Sequence, residues 1–222
     1  MKLTLQKGQN LYFTSDTHFS HSNICSATTQ WKDAGDTVRQ FTSLEHMNRT
    51  IVDNINAVVD ENDILFHLGD WSFGGFEQIQ KFRSQLICKN IHIVLGNHDH
   101  HIEKDKDGIQ SLFSSVHSFI PHLEVRREVV GGKGMLERFN FCVFHYPIAS
   151  WIDMNTGVIH LHGHIHLPKH LKLGQGRSLD VGMDGNDMKP YSLDEVMRLV
   201  KNQPIRKLEL PKDHHEKRLG ND

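Results

Sequence analysis

Apolar and polar positions fall in blocks along this chain, and the length and period of each block predict an element. Asn10-Leu11-Tyr12-Phe13-Thr14-Ser15, Ile64-Leu65-Phe66 and Ile91-His92-Ile93-Val94-Leu95 are short apolar runs of strand length. Between the first two, Leu44, Met47, Ile51, Ile55 and Val58 recur at steps of three and four, which draws one apolar face on a helix. Thr42-x-x-Glu45 has the form of a capping box ahead of it, and Asp60-Glu61-Asn62-Asp63 ends it. Phe76, Ile79, Phe82 and Leu86 mark a second helix. The resulting β-α-β-α-β order predicts parallel strands with right-handed crossovers and loops gathered at one sheet edge.

The second half has a different rhythm. Residues 100–111 are charged and aperiodic, and Lys104-Asp105-Lys106-Asp107 alternates in sign as a solvated loop does. Residues 123–130 and 139–144 bracket Gly131-Gly132-Lys133-Gly134, the signature of a hairpin. Residues 158–161 and 178–181 read as later strands, giving a second sheet packed on the first. Ser192-x-x-Glu195 before Val196, Leu199 and Val200 predicts a capped helix. Residues 1–203 are expected to form one domain, with 204–222 as a charged tail or peripheral segment. Residues 19–42 are polar, include Trp31 and Asp33-Ala34-Gly35-Asp36, and are expected to loop over the strand ends, where loops of that length serve as lids or binding surfaces.

Those strand ends carry the chemistry. Asp16-Thr17-His18, Gly69-Asp70, Gly96-Asn97-His98-Asp99, His145 and Gly163-His164-Ile165-His166 each follow an apolar run. Divalent ions accept carboxylate oxygen, amide oxygen and neutral imidazole, and two ions about 3.5–4 Å apart need an anionic bridge. Asp16-x-His18 and His164-x-His166 each place two donors on one side of an extended segment. Together the clusters read as a two-metal site.

Composition sharpens this reading. With 222 residues and 37% hydrophobic content the chain can bury a sizeable core. A net charge of −2 and a pI near 6.8 argue against a generally basic nucleic-acid surface, so any attraction for phosphate must be local. Two divalent cations would supply it, bringing four positive charges against the two negative ones of Asp16 and Asp70. Eighteen histidines make one His-x-His pair unremarkable, and the weight lies in the ordered set of clusters. Cys25, Cys88 and Cys142 are odd in number and widely spaced, which indicates neither a disulfide framework nor a zinc knuckle. The first residues lack an apolar leader, and no stretch approaches ~20 apolar residues, so a soluble cytoplasmic protein is expected.

In their order and spacing, Asp16-x-His18, Gly69-Asp70, Gly96-Asn97-His98-Asp99, His145 and Gly163-His164-x-His166 resemble the calcineurin-like metallophosphoesterases over most of the chain. The resemblance implies an α/β fold, a four-layer α-β-β-α sandwich of two mixed sheets flanked by helices, with a dinuclear metal site at the sheet edge. It implies that Asp16, His18 and His166 hold one ion and Asn97, His145 and His164 the other, with Asp70 and a water or hydroxide bridging. Mn²⁺ is the expected ion, with Fe²⁺, Ni²⁺, Zn²⁺ and Mg²⁺ as alternatives. His98 becomes the proton donor to the leaving oxygen, since imidazole titrates near neutral pH, and Asp99 or a sheet-edge carboxylate is expected to orient it.

The implied activity is hydrolysis of a phosphoester, by a phosphodiesterase or phosphatase acting on nucleotides or other small phosphoesters. His21 and Asn23 are candidate substrate contacts. Trp71 is better explained as an aromatic covering a sheet edge than as a base-stacking platform. A nuclease is less favoured because no basic stripe is visible. A catalytically silent interaction scaffold of the same fold is the alternative of a different class. A zinc peptidase is excluded by the lack of His-Glu-x-x-His, and the metallo-β-lactamase pattern is not reproduced.

Overall fold

The computed structural model describes residues 1–25, 39–105, 108–129, 131–132, 134–167, 171 and 173–205. Among them, ten strands form two five-stranded mixed sheets. The strands are β1 (Lys2–Thr4), β2 (Leu11–Thr14), β3 (Ile64–His67), β4 (Asn90–Val94), β5 (Ser115–His117), β6 (Ile120–Glu128), β7 (Leu136–Val143), β8 (Ile159–His162), β9 (Ser178–Asp180) and β10 (Tyr191–Ser192). One sheet runs β10-β2-β3-β4-β5, parallel except for β10, and the other runs β1-β6-β7-β8-β9, with only the β6–β7 hairpin antiparallel. The helices are α1 (Leu44–Asn56), α2 (Gly75–Gln85), α3 (His100–Lys104) and α4 (Leu193–Val200). None is long and apolar enough to cross a membrane.

The period of two along each strand sorts side chains into layers. Phe13, Phe66, Leu123, Val125, Phe141 and Leu161 face inward and join the sheets, with the Phe13 ring 5.9 Å from Phe66 and 5.3 Å from Phe141. Their neighbours Leu65, Ile91 and Ile93 point the other way, onto Met47, Ile51 and Ile55 of α1 and Ile79 and Phe82 of α2. Each such side chain, fully buried, contributes about 1.5–3 kcal/mol. Cys142, on the outer face of the second sheet, packs under Trp151, Met154 and Val158, so the helical layer there is a single 3₁₀ turn, Met154–Thr156. Helix α4 closes the flank of the sandwich through Val196 and Val200.

Several expectations need correction. The cap of α1 is Ser43, whose side chain accepts from the His46 amide, while Thr42 bonds the His46 ring instead. Phe76 lies on α2 but is 46% exposed, and its ring meets that of His101. The charged, aperiodic stretch from residue 100 holds α3 and a 3₁₀ turn, Ile109–Leu112; of the expected loop at 104–107, residues 106–107 lie outside the described residues. The edge strands β1, β5 and β10 have two or three residues each, too few to show a period. The capping box of α4 forms as read, with Ser192 and Glu195 exchanging bonds. Trp31, residues 33–36 and most of the 204–222 tail lie outside the described residues.

Candidate metal centre

All seven candidate ligands leave the C-terminal ends of strands. Asp16 and His18 follow β2, Asp70 follows β3, Asn97 follows β4, His145 follows β7, and His164 and His166 follow β8. Because β2, β3 and β4 are parallel, as are β7 and β8, these ends lie on one rim of the sandwich. An isolated bridge between Ser15 and Gly182 joins the two sheets there. Asp16, His18, Asp70, His164 and His166 have φ between 47° and 73°, the left-handed region that costs a non-glycine residue energy. Such turns swing each side chain back over the rim.

Two groups result, each with donor atoms within 4.8 Å of one another: Asp16, His18 and His166, then Asp70, His145 and His164. In the first, His18 Nε2 lies 3.3 Å from His166 Nε2 and 3.9 Å from Asp16 Oδ1. In the second, Asn97 Oδ1 lies 2.9 Å from His164 Nδ1 and 3.1 Å from His145 Nε2. Asp70 Oδ2 stands between the groups, 3.5 Å from His18 Nε2 and 3.6 Å from His145 Nε2. The resemblance assigned that carboxylate the bridge.

Proton bookkeeping shows that this donor set fits divalent cations. His145 Nδ1 donates to the Leu68 carbonyl at 2.7 Å, so Nε2 is the ring nitrogen turned to the cluster, facing the Asn97 oxygen at 3.1 Å. His166 Nδ1 donates to Asp184 Oδ2 at 2.7 Å, and its Nε2 confronts that of His18. Ring nitrogens and oxygens facing one another at these distances need positive charge between them, a proton or a metal ion. His166 shows this demand. Burial opposes its charged form but is outweighed by Asp16 and by the bond to, and charge of, Asp184, so its pKa rises to about 9. Burial raises Asp16 to about 6 against the pull of His166 and His145. Burial lowers His18 well below its ordinary value, helped by His166 and Arg39.

Other residues hold the donors in place. Asp99, 2% exposed, accepts from the amides of Asp70 (2.8 Å), Trp71 (2.9 Å) and Gly96 (2.8 Å) and so ties the loops after β3 and β4 together. Its carboxylate is committed to backbone amides rather than to the His98 ring, which corrects the orienting role expected for it. Gly163 admits no Cβ, which would overlap Ser15 Oγ and Asp16 Oδ2, and its neighbour His164 donates its amide to both Asp16 oxygens, at 3.1 and 3.0 Å. Arg39 and Asp184 escaped the sequence reading. Buried Arg39 grips Asp184 through Nε at 2.8 Å and Nη2 at 2.9 Å, and donates to the carbonyls of Asp16 and Thr17. Arg39 gives no local signal; Asp184 does, being a carboxylate among glycines just past β9.

The remaining candidates divide. His98 donates its amide to Asp70 Oδ1 at 3.0 Å, and its half-buried ring lies 5.6 Å from that of His18 and 4.6 Å from that of Phe73. His21 stacks on Phe73 at 3.5 Å and reaches the same rim, 5.3 Å from the His18 ring. Asn23 is exposed on the 3₁₀ turn Ser22–Ile24 and makes no hydrogen bond to the cluster among the described residues. Trp71 is fully buried beneath the rim, its indole donating to the Ile79 carbonyl, so it covers the sheet edge and offers no face to a base.

This chain is similar to known proteins. MJ1445, an uncharacterized protein of Methanocaldococcus jannaschii, is 29% identical over 202 residues, spanning 89% of this chain and 94% of its own. The crystal structure of AQ665, a protein of unknown function from Aquifex aeolicus, matches with a TM-score of 0.56 at 23% identity, over 87% of this chain and all of that one. That likeness concerns the fold alone. The family model described as calcineurin-like phosphoesterase matches residues 10–217, a span that takes in all seven candidate ligands. With the ligand order, the paired sheets and that match in agreement, the chain belongs to the calcineurin-like phosphoesterase family.

Proposed function

We propose that this protein hydrolyses small phosphoesters, nucleotides among them, as a phosphodiesterase or phosphatase working with two divalent cations, Mn²⁺ foremost. The observation that carries this reading is the convergence of Asp16, His18, His166, Asn97, His145 and His164 around Asp70, with ring nitrogens, an amide oxygen and carboxylates facing one another. Asp16, His18 and His166 hold one ion, Asn97, His145 and His164 the other, and Asp70 reaches both. Bound there, the ions supply Lewis acidity toward two phosphoryl oxygens and lower the pKa of a coordinated water.

The chain's own residues do the rest. Asp16, His18, Asp70 and His145 form a buried floor, whereas Asn97 is exposed and His98, His164 and His21 are half-buried. Substrate therefore approaches from the side of those four. His98 is the general acid, delivering a ring proton to the departing oxygen, and its amide bond to Asp70 keeps the ring beside the cluster. His21, stacked on Phe73, contacts the substrate from the same side.

The test pairs metal analysis of the purified full-length protein with turnover of bis-para-nitrophenyl phosphate, para-nitrophenyl phosphate and a panel of nucleotides. The expected result is activity restored to stripped protein by Mn²⁺, with bound metal approaching two ions per chain. Full activity after complete chelation would overturn the mechanism. A metal-free, inactive protein holding a tight protein partner would favour the scaffold alternative.

A further inference from the structure

We infer that Asp184, clamped by Arg39, is the positioning residue of His166: it fixes which ring nitrogen faces the cluster and makes the Asp16–His18–His166 position the tighter of the two. This rests on the reading of His166 as a metal ligand. Asp184 and Arg39 have side chains only 1% exposed, and the guanidinium takes both carboxylate oxygens. Oδ2 carries a second bond, to His166 Nδ1 at 2.7 Å. An ionised carboxylate only accepts, so Nδ1 keeps its hydrogen and Nε2 is the nitrogen turned to the cluster, 3.3 Å from His18 Nε2 and 3.8 Å from Asp16 Oδ1. A carboxylate behind an imidazole also raises the basicity of the far nitrogen.

The other position has no such backing. His145 donates to a neutral carbonyl, that of Leu68, while His164 is half-buried and turns Nδ1 itself toward the amide oxygen of Asn97. Stability alone does not explain the ion pair. A buried pair of this kind is often no more stable than apolar residues of similar volume, and breaking it is what costs. The third contact, onto a ligand, gives the pair a use. The Arg39 guanidinium also donates to the carbonyls of Asp16 and Thr17, so one group steadies both the first ligand turn and the last.

The experiment is calorimetric titration of Mn²⁺ into chelator-stripped full-length protein. The wild type is expected to load in two steps. Asp184→Asn should weaken the tighter step about 10- to 100-fold, the loss typical when the partner behind a ligand is removed, and leave the weaker step within about twofold. Because that change strands the Arg39 charge, Arg39→Gln/Asp184→Asn is measured beside it, with thermal melts in chelator confirming the fold. A folded variant in which neither step moves, or both move equally, overturns the proposal. An independent check uses ¹⁵N-histidine NMR of Zn²⁺-loaded wild type: a His166 ring with its proton on Nε2 overturns it whatever the variants do. Wild-type protein that takes up no ion refutes the metal reading beneath it instead.

Discussion

Asp99→Asn separates a residue that holds the site from one that does chemistry in it. Three buried amides, those of Asp70, Trp71 and Gly96, converge on the two oxygens of Asp99 at 2.8–2.9 Å. An asparagine oxygen can serve two of them, and its NH₂ group then faces the third, a donor against a donor. One unmet buried amide costs about 1–3 kcal/mol, and turning the other two bonds from charged to neutral removes roughly 1 kcal/mol each. Burial pushes the Asp99 carboxyl above its usual pKa, with the Gly96 and Trp71 amides pulling it back, so the neutral side chain recovers part of the loss. The expected net destabilisation is about 2–4 kcal/mol, or roughly 5–15 °C in Tm for a chain of this size. Urea unfolding in chelator reads it without any contribution from bound metal. Asp99→Ala, which leaves all three amides unmet, should lose more. If Asp99→Asn unfolds within about 0.5 kcal/mol of wild type while turnover collapses, the amide argument fails and Asp99 regains a place in the reaction.

Further consequences follow from neighbouring observations. His67, His160 and His162 are buried neutral, with burial holding their pKa values at about 3, 4 and 4. The unfolded chain therefore takes up protons first as pH falls, so their stabilising contribution is full above about 6.5 and is lost on the way down toward pH 4. Each is worth roughly 3 kcal/mol over that range, offset in part by Asp16, whose raised value acts in the opposite sense between about pH 6 and 4. Urea midpoints from pH 7 to pH 4.5 should fall, and a His67→Gln variant should show a shallower fall; an unchanged slope would refute this. Gly163→Ala forces a methyl against Ser15 and Asp16, and a shift of about 1 Å at the cluster should cut kcat about 10²-fold in a folded protein; wild-type turnover would show that the contact relaxes freely. His98→Ala should lose about 10²–10⁴-fold on substrates with poor leaving groups and far less on para-nitrophenyl esters; equal losses on both would remove it as the acid.

What was legible in the sequence is what is local. A strand-length apolar run followed at once by Asp16-x-His18 or Asn97-His98 shows both the element and the atoms at its end, but the period of two stops with the strand: Asp16, His18, His164 and His166 have left-handed φ, so turns rather than an extended segment set where they face. The same reasoning gave α1 its apolar stripe yet placed its cap one residue early, since Thr42 and Ser43 are chemically equivalent there and only the chain's approach to the helix selects Ser43. Edge strands of two or three residues, such as β1 against β6, exist because a partner 120 residues away offers free backbone groups, and no short pattern records that. Arg39 is the extreme case. Its partner Asp184 lies 145 residues on, and nothing around residue 39 announces a buried guanidinium. Asp184 itself was within reach, because the rule that found Asp16 and Asp70, a carboxylate just past a strand, applies equally past β9. It was missed because that rule looked for atoms able to face a cation, and Asp184 faces the back of the ring that does. Donor type marks the ligands of such a centre, whereas the groups that aim them are found only by asking where each ligand's second polar atom is bonded.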